Sequence, residues 1–277
     1  MKFVVVQYKM HIIYCLIFLT ILAIIIVITT IYVDIQNTYH HTLRVINIFD
    51  NRIPLTEETG KKYKCYTFYS EKYKSAYDLM LKTLKDDFEM KPIVIEQDEM
   101  QKCFEKTPKH FYDYRWRGCD IKIRLVIDSI KQNMGDYILF IDSDLVFIKP
   151  IAPILDYYLE NDYDLVLTES CFINIAKKYC ITTGENIGIM FIKCSEKTLA
   201  FFEGVRDNIL RNGWDEGAVK ISLKDMTLNH ATFPAYLVST QFAYNPESHV
   251  VKVIGSYIGL NKNEAQKLIL QEVNSAS

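Results

Sequence analysis

The stretch Tyr137-Ile138-Leu139-Phe140-Ile141-Asp142-Ser143-Asp144-Leu145-Val146-Phe147 decides how the chain is read. It is an unbroken apolar run that ends on two carboxylates spaced i, i+2 and then turns apolar again. Successive side chains of a strand point to opposite faces, so apolar residues at every position mark a strand buried on both sides, as in a parallel sheet. If the strand ends at Ile141, Asp142 and Asp144 fall in the following turn and can converge on one cation. Ligands of such sheets bind outside the carboxyl ends of the strands. Carboxylate oxygens suit hard divalent ions such as Mn²⁺ or Mg²⁺, which keep waters or phosphate oxygens as further ligands. In many proteins an acidic pair after a strand is only a turn, because Asp and Ser favour turns. The buried strand in front of this pair gives it a second reading, a metal held for a phosphate-bearing substrate.

Outward from this run, the first part of the 277-residue chain differs from the rest. Ile12–Val33 carries no charge and is dominated by Ile, Leu, Val and Thr, and about 18 such residues suffice to span a bilayer. A signal peptide would have a shorter apolar stretch and a small-residue cleavage site, whereas Asp34-Ile35-Gln36-Asn37 follows here. Residues 12–33 are therefore expected to be an uncleaved anchor. Lys2 and Lys9 precede the span and no Lys or Arg follows it until Arg44. The positive-inside rule then leaves a cytosolic tail at 1–11 and places the bulk of the chain across the membrane, a single-pass type II arrangement. Residues 34–60 read as a polar stem, and 61–277 are enough for one ordinary domain.

Net charge is −2, which does not favour nucleic acid as a partner. None of the seven Cys is paired at zinc-site spacing. In an oxidising lumen Cys171 and Cys180 could pair across a loop, although connectivity is not fixed by sequence. There is no Asn-X-Ser/Thr glycosylation acceptor.

Periodicity predicts strands at 63–70, 92–95, 137–141, 163–167, 187–193, 237–239 and 250–254. Helices are expected at 75–84, from Asp120 to about Ile130, at 153–160 and at 198–210. Asp120 is read as a helix cap and residues 97–118 as irregular. Strands alternating with helices indicate an α/β fold with a mostly parallel sheet.

These residues match a known pattern. Phe140-Ile141-Asp142-Ser143-Asp144 with Ile148-Lys149-Pro150 resembles the DxD segment of nucleotide-sugar glycosyltransferases of the GT-A fold. Asn186-Ile187-Gly188-Ile189-Met190-Phe191-Ile192-Lys193 resembles a later strand of the same enzymes, and Asp215-Glu216-Gly217-Ala218 their acidic, small-residue motif at a helix start. Lys122 falls where these enzymes carry a Lys on the helix before the metal strand. The pattern is similar to Golgi galactosyl- and mannosyltransferase families of type II topology. It implies a GT-A, Rossmann-like, mostly parallel sheet flanked by helices and preceded by one transmembrane helix. It also implies hexose transfer, with retention, from a UDP- or GDP-linked sugar to a glycan, protein or lipid acceptor, assisted by Mn²⁺ or Mg²⁺, on the lumenal side of the Golgi or ER.

Carried over residue by residue, the resemblance makes Asp142 and Asp144 metal ligands. It makes Asn186, Asp215 and Glu216 catalytic candidates, and Tyr66, Ser70, Lys122, Asp142, Ser143, Gly188 and Lys252 substrate-binding candidates. Relatives often supply a third metal ligand as a His shortly before a Gly. Here Lys252 stands at that position before Gly255, and His249, three residues earlier, is the alternative. Gly217 also departs from the polar residue common in relatives.

The chemistry fits without the name, since a cation on two carboxylates would neutralise a departing diphosphate and a nearby Lys would add to this. Two rivals stand beside this reading. Asp142-Ser143-Asp144-Leu145-Val146 also fits the first motif of haloacid-dehalogenase-type phosphohydrolases, with Asp142 as nucleophile and Asp144 as general acid. Against it, that motif normally opens the domain, and a later acidic pair after a strand is missing. Lys252 in place of a His is instead compatible with a membrane-anchored binding protein that keeps the fold without the activity.

Overall fold

The computed structural model describes residues 44–55, 60–96, 115–175, 178–212, 215–240, 244–253 and 262–276. The span read at 12–33 and most of the irregular segment at 97–118 lie outside these residues. Among the described residues no helix is long and apolar enough to cross a membrane.

The sheet is built around the apolar run Tyr137–Ile141. Strand β4 (Tyr137–Ile141) is buried at every position, as its composition requires. It lies between β2 (Lys64–Ser70) and β7 (Tyr179–Lys193). The larger sheet has seven strands, in the order β3 (Glu89–Ile95), β2, β4, β7, β6 (Leu165–Ile175), β8 (His230–Thr232), with β1 (Arg44–Asn47) also paired to β7. A smaller sheet joins β5 (Leu145–Phe147), β10 (Val250–Lys252) and β9 (Val238–Thr240).

Both faces of the larger sheet are covered, which is why its central strands carry apolar residues on both sides. One face packs Cys65, Leu139, Ile141, Ile189 and Phe191 against Tyr77 and Met80 of α1 (Lys74–Thr83) and Ile154, Leu155 and Tyr158 of α3 (Ala152–Glu160). The other packs Ile138, Phe140, Met190 and Ile192 against α2 (Arg115–Gln132) and α4 (Glu196–Asn212), with Ala218 and Val219 of α5 (Asp215–Asp225). A last helix, α6 (Lys262–Ala276), buries Ala265 and Ile269 beside Val146 and Val251. Phe191 is buried between Tyr63, edge-on at 5.5 Å, and Tyr137, stacked at 5.1 Å. Phe191→Ala is expected to lower stability by about 3–5 kcal/mol, read from chemical denaturation, because the cavity cannot collapse between two rings.

Three expectations are corrected. The sheet is mixed rather than mostly parallel. β2 runs parallel to β3 and β4, and β6 parallel to β8, but β7 is antiparallel to β4, β6 and β1. The cause is a long hairpin. The short strands expected at 163–167 and 187–193 extend toward each other into β6 and β7, crossed by a Cys171–Cys180 disulfide. Its inner polar residues are satisfied by one another, as when Thr182 Oγ1 donates to Glu169 Oε1 at 2.6 Å. Second, Asp120 does not cap a helix. It lies inside α2, where its carboxylate accepts from Arg124 at 3.1 Å and Arg206 at 2.9 Å. Third, Arg44–Asn47, within the segment read as stem, forms an edge strand on β7, and Ile48 enters the core beside the disulfide.

Candidate active site

The site forms where β4 ends. Its ladder with β7 pairs Ile141 with Ile189 and continues one step, as the Asp142 N–H donates to the Gly188 carbonyl at 2.8 Å. This register brings the acidic pair and the Asn186–Gly188 segment to the same edge of the sheet. Downstream, the Val253 N–H donates to the Asp144 carbonyl at 3.0 Å, and β10 pairs Lys252 with Leu145. From the other face, α2 presents Lys122, and α5 begins at Asp215 and Glu216.

Three ammonium groups converge on the two carboxylates. Lys122 Nζ lies 2.5 Å from Asp142 Oδ1, Lys252 Nζ 3.4 Å from Asp142 Oδ2, and Lys262 Nζ 2.7 Å from Asp144 Oδ2. Lys122 and Asp144 are buried, with 5% and 2% of their surface exposed. Burial by itself would raise the Asp142 carboxyl, but the charges of Lys122, Lys252 and Lys262 outweigh it and hold the group below the usual carboxylate range. Burial likewise disfavours the charged forms of Lys122 and Lys262. The carboxylates reverse this, chiefly Asp142 and Asp215 for Lys122 and Asp144 and Asp142 for Lys262, and both lysines are held above the ordinary value.

Beside the pair, Asn186 Nδ2 donates to Glu216 Oε1, while Asn186 Oδ1 accepts from the Gly188 N–H at 2.8 Å and from Lys252 Nζ. Burial pushes the Glu216 carboxyl up, with the Lys252 charge opposing it. Asp215 accepts from the Glu216 N–H at 2.9 Å. The Lys252 stem runs directly over Gly188. A Cβ at 188 would lie 2.4 Å from Lys252 Cδ, Cε and Nζ. Gly188→Ala therefore has to expel Lys252. Because the obstructing atoms end a flexible chain, the expected result is a near-native thermal transition with a loss of activity parallel to that of Lys252→Ala.

The structure thus brings together Lys122, Asp142, Ser143, Asp144, Asn186, Gly188, Asp215, Glu216 and Lys252. It does not bring Tyr66 or His249 to them. The Tyr66 hydroxyl accepts from Asn133, beyond the far end of α2, at 2.8 Å. His249 lies at the opposite end of the β5–β10 pair from Asp144, its Nδ1 against the Pro150 carbonyl. Ser70 ends β2, three residues beyond Thr67, which pairs with Ile141. Two participants were not expected from sequence. Lys262 is the first residue of α6, and Gln266 docks that helix by donating to the carbonyls of Leu145 at 3.0 Å and Ala76 at 3.1 Å. The spacing of Ala265, Ile269 and Val273 was the available signal for α6; nothing local marks Lys262.

A divalent cation implied by the resemblance can be tested against these atoms. Asp144 Oδ1 is buried and has no hydrogen-bond partner, and Asp142 Oδ2 is held only at 3.4 Å. By their chemistry these two oxygens suit a hard cation, which would take its other ligands from water or phosphate. Among the described residues no group of three or more His, Cys, Asp and Glu converges, so the fit is to a two-carboxylate site.

Comparison with known proteins gives a family match over part of the chain and distant likenesses among solved structures. Residues 122–255 match the family described as nucleotide-diphospho-sugar transferase, a span that starts at Lys122 and includes both carboxylates, Asn186, Glu216 and Lys252. No curated protein matches the chain. Among solved structures it is similar to the apo glycosyltransferase GlyE of Streptococcus pneumoniae TIGR4, at 11% identity over 76% of this chain and 64% of that one, TM-score 0.47. It is also similar to a glycosyltransferase involved in glycosylation of the major capsid of PBCV-1, at 14% identity over 75% and 98%, TM-score 0.45. A third is mouse xyloside xylosyltransferase 1, at 9% identity over 69% and 97%, TM-score 0.46. The chain spans less than two thirds of the length of GlyE.

Proposed function

We propose that this protein is a glycosyltransferase that moves a hexose, with retention, from a UDP- or GDP-linked sugar to a glycan, protein or lipid acceptor. The observation that carries the reading is the pair of buried carboxylates at the end of β4, ringed by three ammonium groups. Such a site offers both signs of charge to a diphosphate and its counter-ion. Asp142 and Asp144 would hold Mn²⁺ or Mg²⁺, which when bound supplies Lewis-acid neutralisation of the departing diphosphate.

The chain's own residues do the rest. Lys122 fixes the orientation of Asp142 through Oδ1. Lys252, between Asp142 and Asn186, is placed to put its charge on the leaving group. Asn186 and Glu216 form the wall beside it, suited to hydrogen bonds with sugar hydroxyls.

The test is a screen of UDP- and GDP-hexoses with Mn²⁺, reading nucleoside diphosphate release and, by NMR, the anomer formed. Release from none of them would defeat the reading. A phosphoryl group trapped on Asp142 would favour the phosphohydrolase instead.

For location we propose a type II membrane protein anchored through residues 12–33 with its domain in the ER or Golgi lumen. The Lys2 and Lys9 flank and the Cys171–Cys180 disulfide support this. Protease added to sealed microsomes is expected to spare everything after Asp34; digestion of the domain would reverse the topology.

A further inference from the structure

The contacts of Lys252 carry one step more, resting on the cation reading above. Its ammonium stands between two acceptors and is nearer to one of them. It lies 2.5 Å from Asn186 Oδ1 and 3.4 Å from Asp142 Oδ2. The other oxygen of Asp142 is already taken by Lys122 at 2.5 Å. If Lys252 closed fully onto Oδ2, both oxygens of Asp142 would be capped by ammonium groups, and a divalent cation would have to displace two of them to use that carboxylate.

What restrains Lys252 is the Asn186 amide, and that amide has only one workable orientation. Its oxygen accepts from Lys252 and from the Gly188 N–H, and its nitrogen donates to Glu216 Oε1. Flipped, the NH₂ would face an ammonium and an N–H, and the oxygen would face a carboxylate. Glu216 is therefore what locks the acceptor toward Lys252. Gly188 completes the arrangement. It is on the same face of β7 as Asn186, two residues on, and having no side chain it lets the lysine stem lie across the strand toward the amide.

We propose that Asn186, locked by Glu216, is a positioning residue that holds the Lys252 ammonium off Asp142 and so keeps that carboxylate open to the cation. The role belongs to a site with Lys in place of a third ligand. An ammonium next to a metal carboxylate is a competitor unless something else engages it.

The experiment is Mn²⁺ binding to the full-length protein without nucleotide, read by electron paramagnetic resonance of the free ion. Asn186→Leu is expected to weaken binding about tenfold or more, the usual scale for loss of a group behind a metal ligand. Glu216→Ala, which frees the amide to flip, is expected to weaken it in the same direction and serves if the Leu variant does not fold. The diagnostic step is the second substitution. Lys252→Ala added to either variant should return affinity to that of Lys252→Ala alone, because no ammonium is left to collapse onto Asp142. Wild-type affinity in both single variants overturns the proposal, as does a loss that persists without Lys252. If the wild type binds no Mn²⁺, the cation reading falls and this inference with it. Wild-type binding with insensitive variants removes only the role of Asn186.

Discussion

If Asp142 and Asp144 hold the proposed cation, Asp144→Asn is expected to abolish metal-dependent transfer while leaving a folded protein. Asp144 is buried, one oxygen pairs with Lys262 at 2.7 Å, and the other is the buried acceptor offered to the cation. Asn keeps the shape but removes the charge and half the acceptor capacity, and no third carboxylate or His among the described residues can compensate. Losing a Lewis acid forfeits several kcal/mol of transition-state stabilisation, so the expected fall is on the order of 10³-fold or more in rate.

The folded state should tolerate this change because the Lys262 side chain is 38% exposed and can turn its charge toward water. Asp142→Asn is a harsher test. It removes the charge paired with Lys122, whose side chain is only 6% exposed, and leaves Asp215 as the chief charge opposite it; breaking a buried pair costs up to about 3–5 kcal/mol. Its loss of activity will therefore come with lowered stability, measurable as an earlier denaturation midpoint. Asp144→Asn at wild-type turnover with saturating donor would refute the assignment of the pair.

Asp142 and Asp144 were legible as the end of a strand buried on both faces, whereas Asn186–Gly188, Asp215, Glu216, Lys122 and Lys252 were expected only through the resemblance. With Tyr137–Ile141 and Ile187–Lys193 as buried strands, Asp142 follows the first and Asn186–Gly188 open the second, so they lie side by side only where the two strands pair antiparallel, as they do here. Lys122 lies on the helix before the strand, and its contact with Asp142 is tertiary. The direction of pairing was not legible in the same way. An apolar run buried on both faces looks the same in a parallel or an antiparallel neighbour, and only the polar stretch 168–186 carries the hairpin that makes β7 antiparallel. That stretch reads as loop because its polar residues are satisfied by side chains far apart in sequence, such as Arg44 with Glu169 at 3.2 Å.

His249 was misplaced for a related reason. An offset of three along an extended chain moves a side chain about 10 Å and turns it to the other face. The β5–β10 register gives Lys252, not His249, to the Asp144 end. Lys262 was out of reach because its contact with Asp144 is purely tertiary, set by Gln266 docking α6 onto the backbone beside the acidic turn.

Lys252→Ala is expected to lower turnover by about 10²–10³, or on the order of 2–4 kcal/mol, the scale for removing a charge aimed at a developing anion. The resemblance read from the sequence expects a metal-binding His at this position, and a protonated ammonium cannot be a ligand. Its stem crosses Gly188, and its charge sits between Asn186 and Asp142. From there the ammonium is placed to put its charge on a departing diphosphate, beside the Lewis-acid assistance that a cation on Asp142 and Asp144 would supply. The loss should therefore fall mainly on kcat, with donor KM changed less, because the charge it meets is greatest in the transition state.

Lys252→His separates this role from simple packing. An imidazole at this position can add a third ligand to Asp142 and Asp144, so Mn²⁺ should bind more tightly than in wild type while turnover recovers only in part. Restoration of full turnover without tighter Mn²⁺ would mean that position 252 is needed only to fill the space over Gly188. Unchanged turnover in Lys252→Ala would remove Lys252 from the leaving-group role altogether.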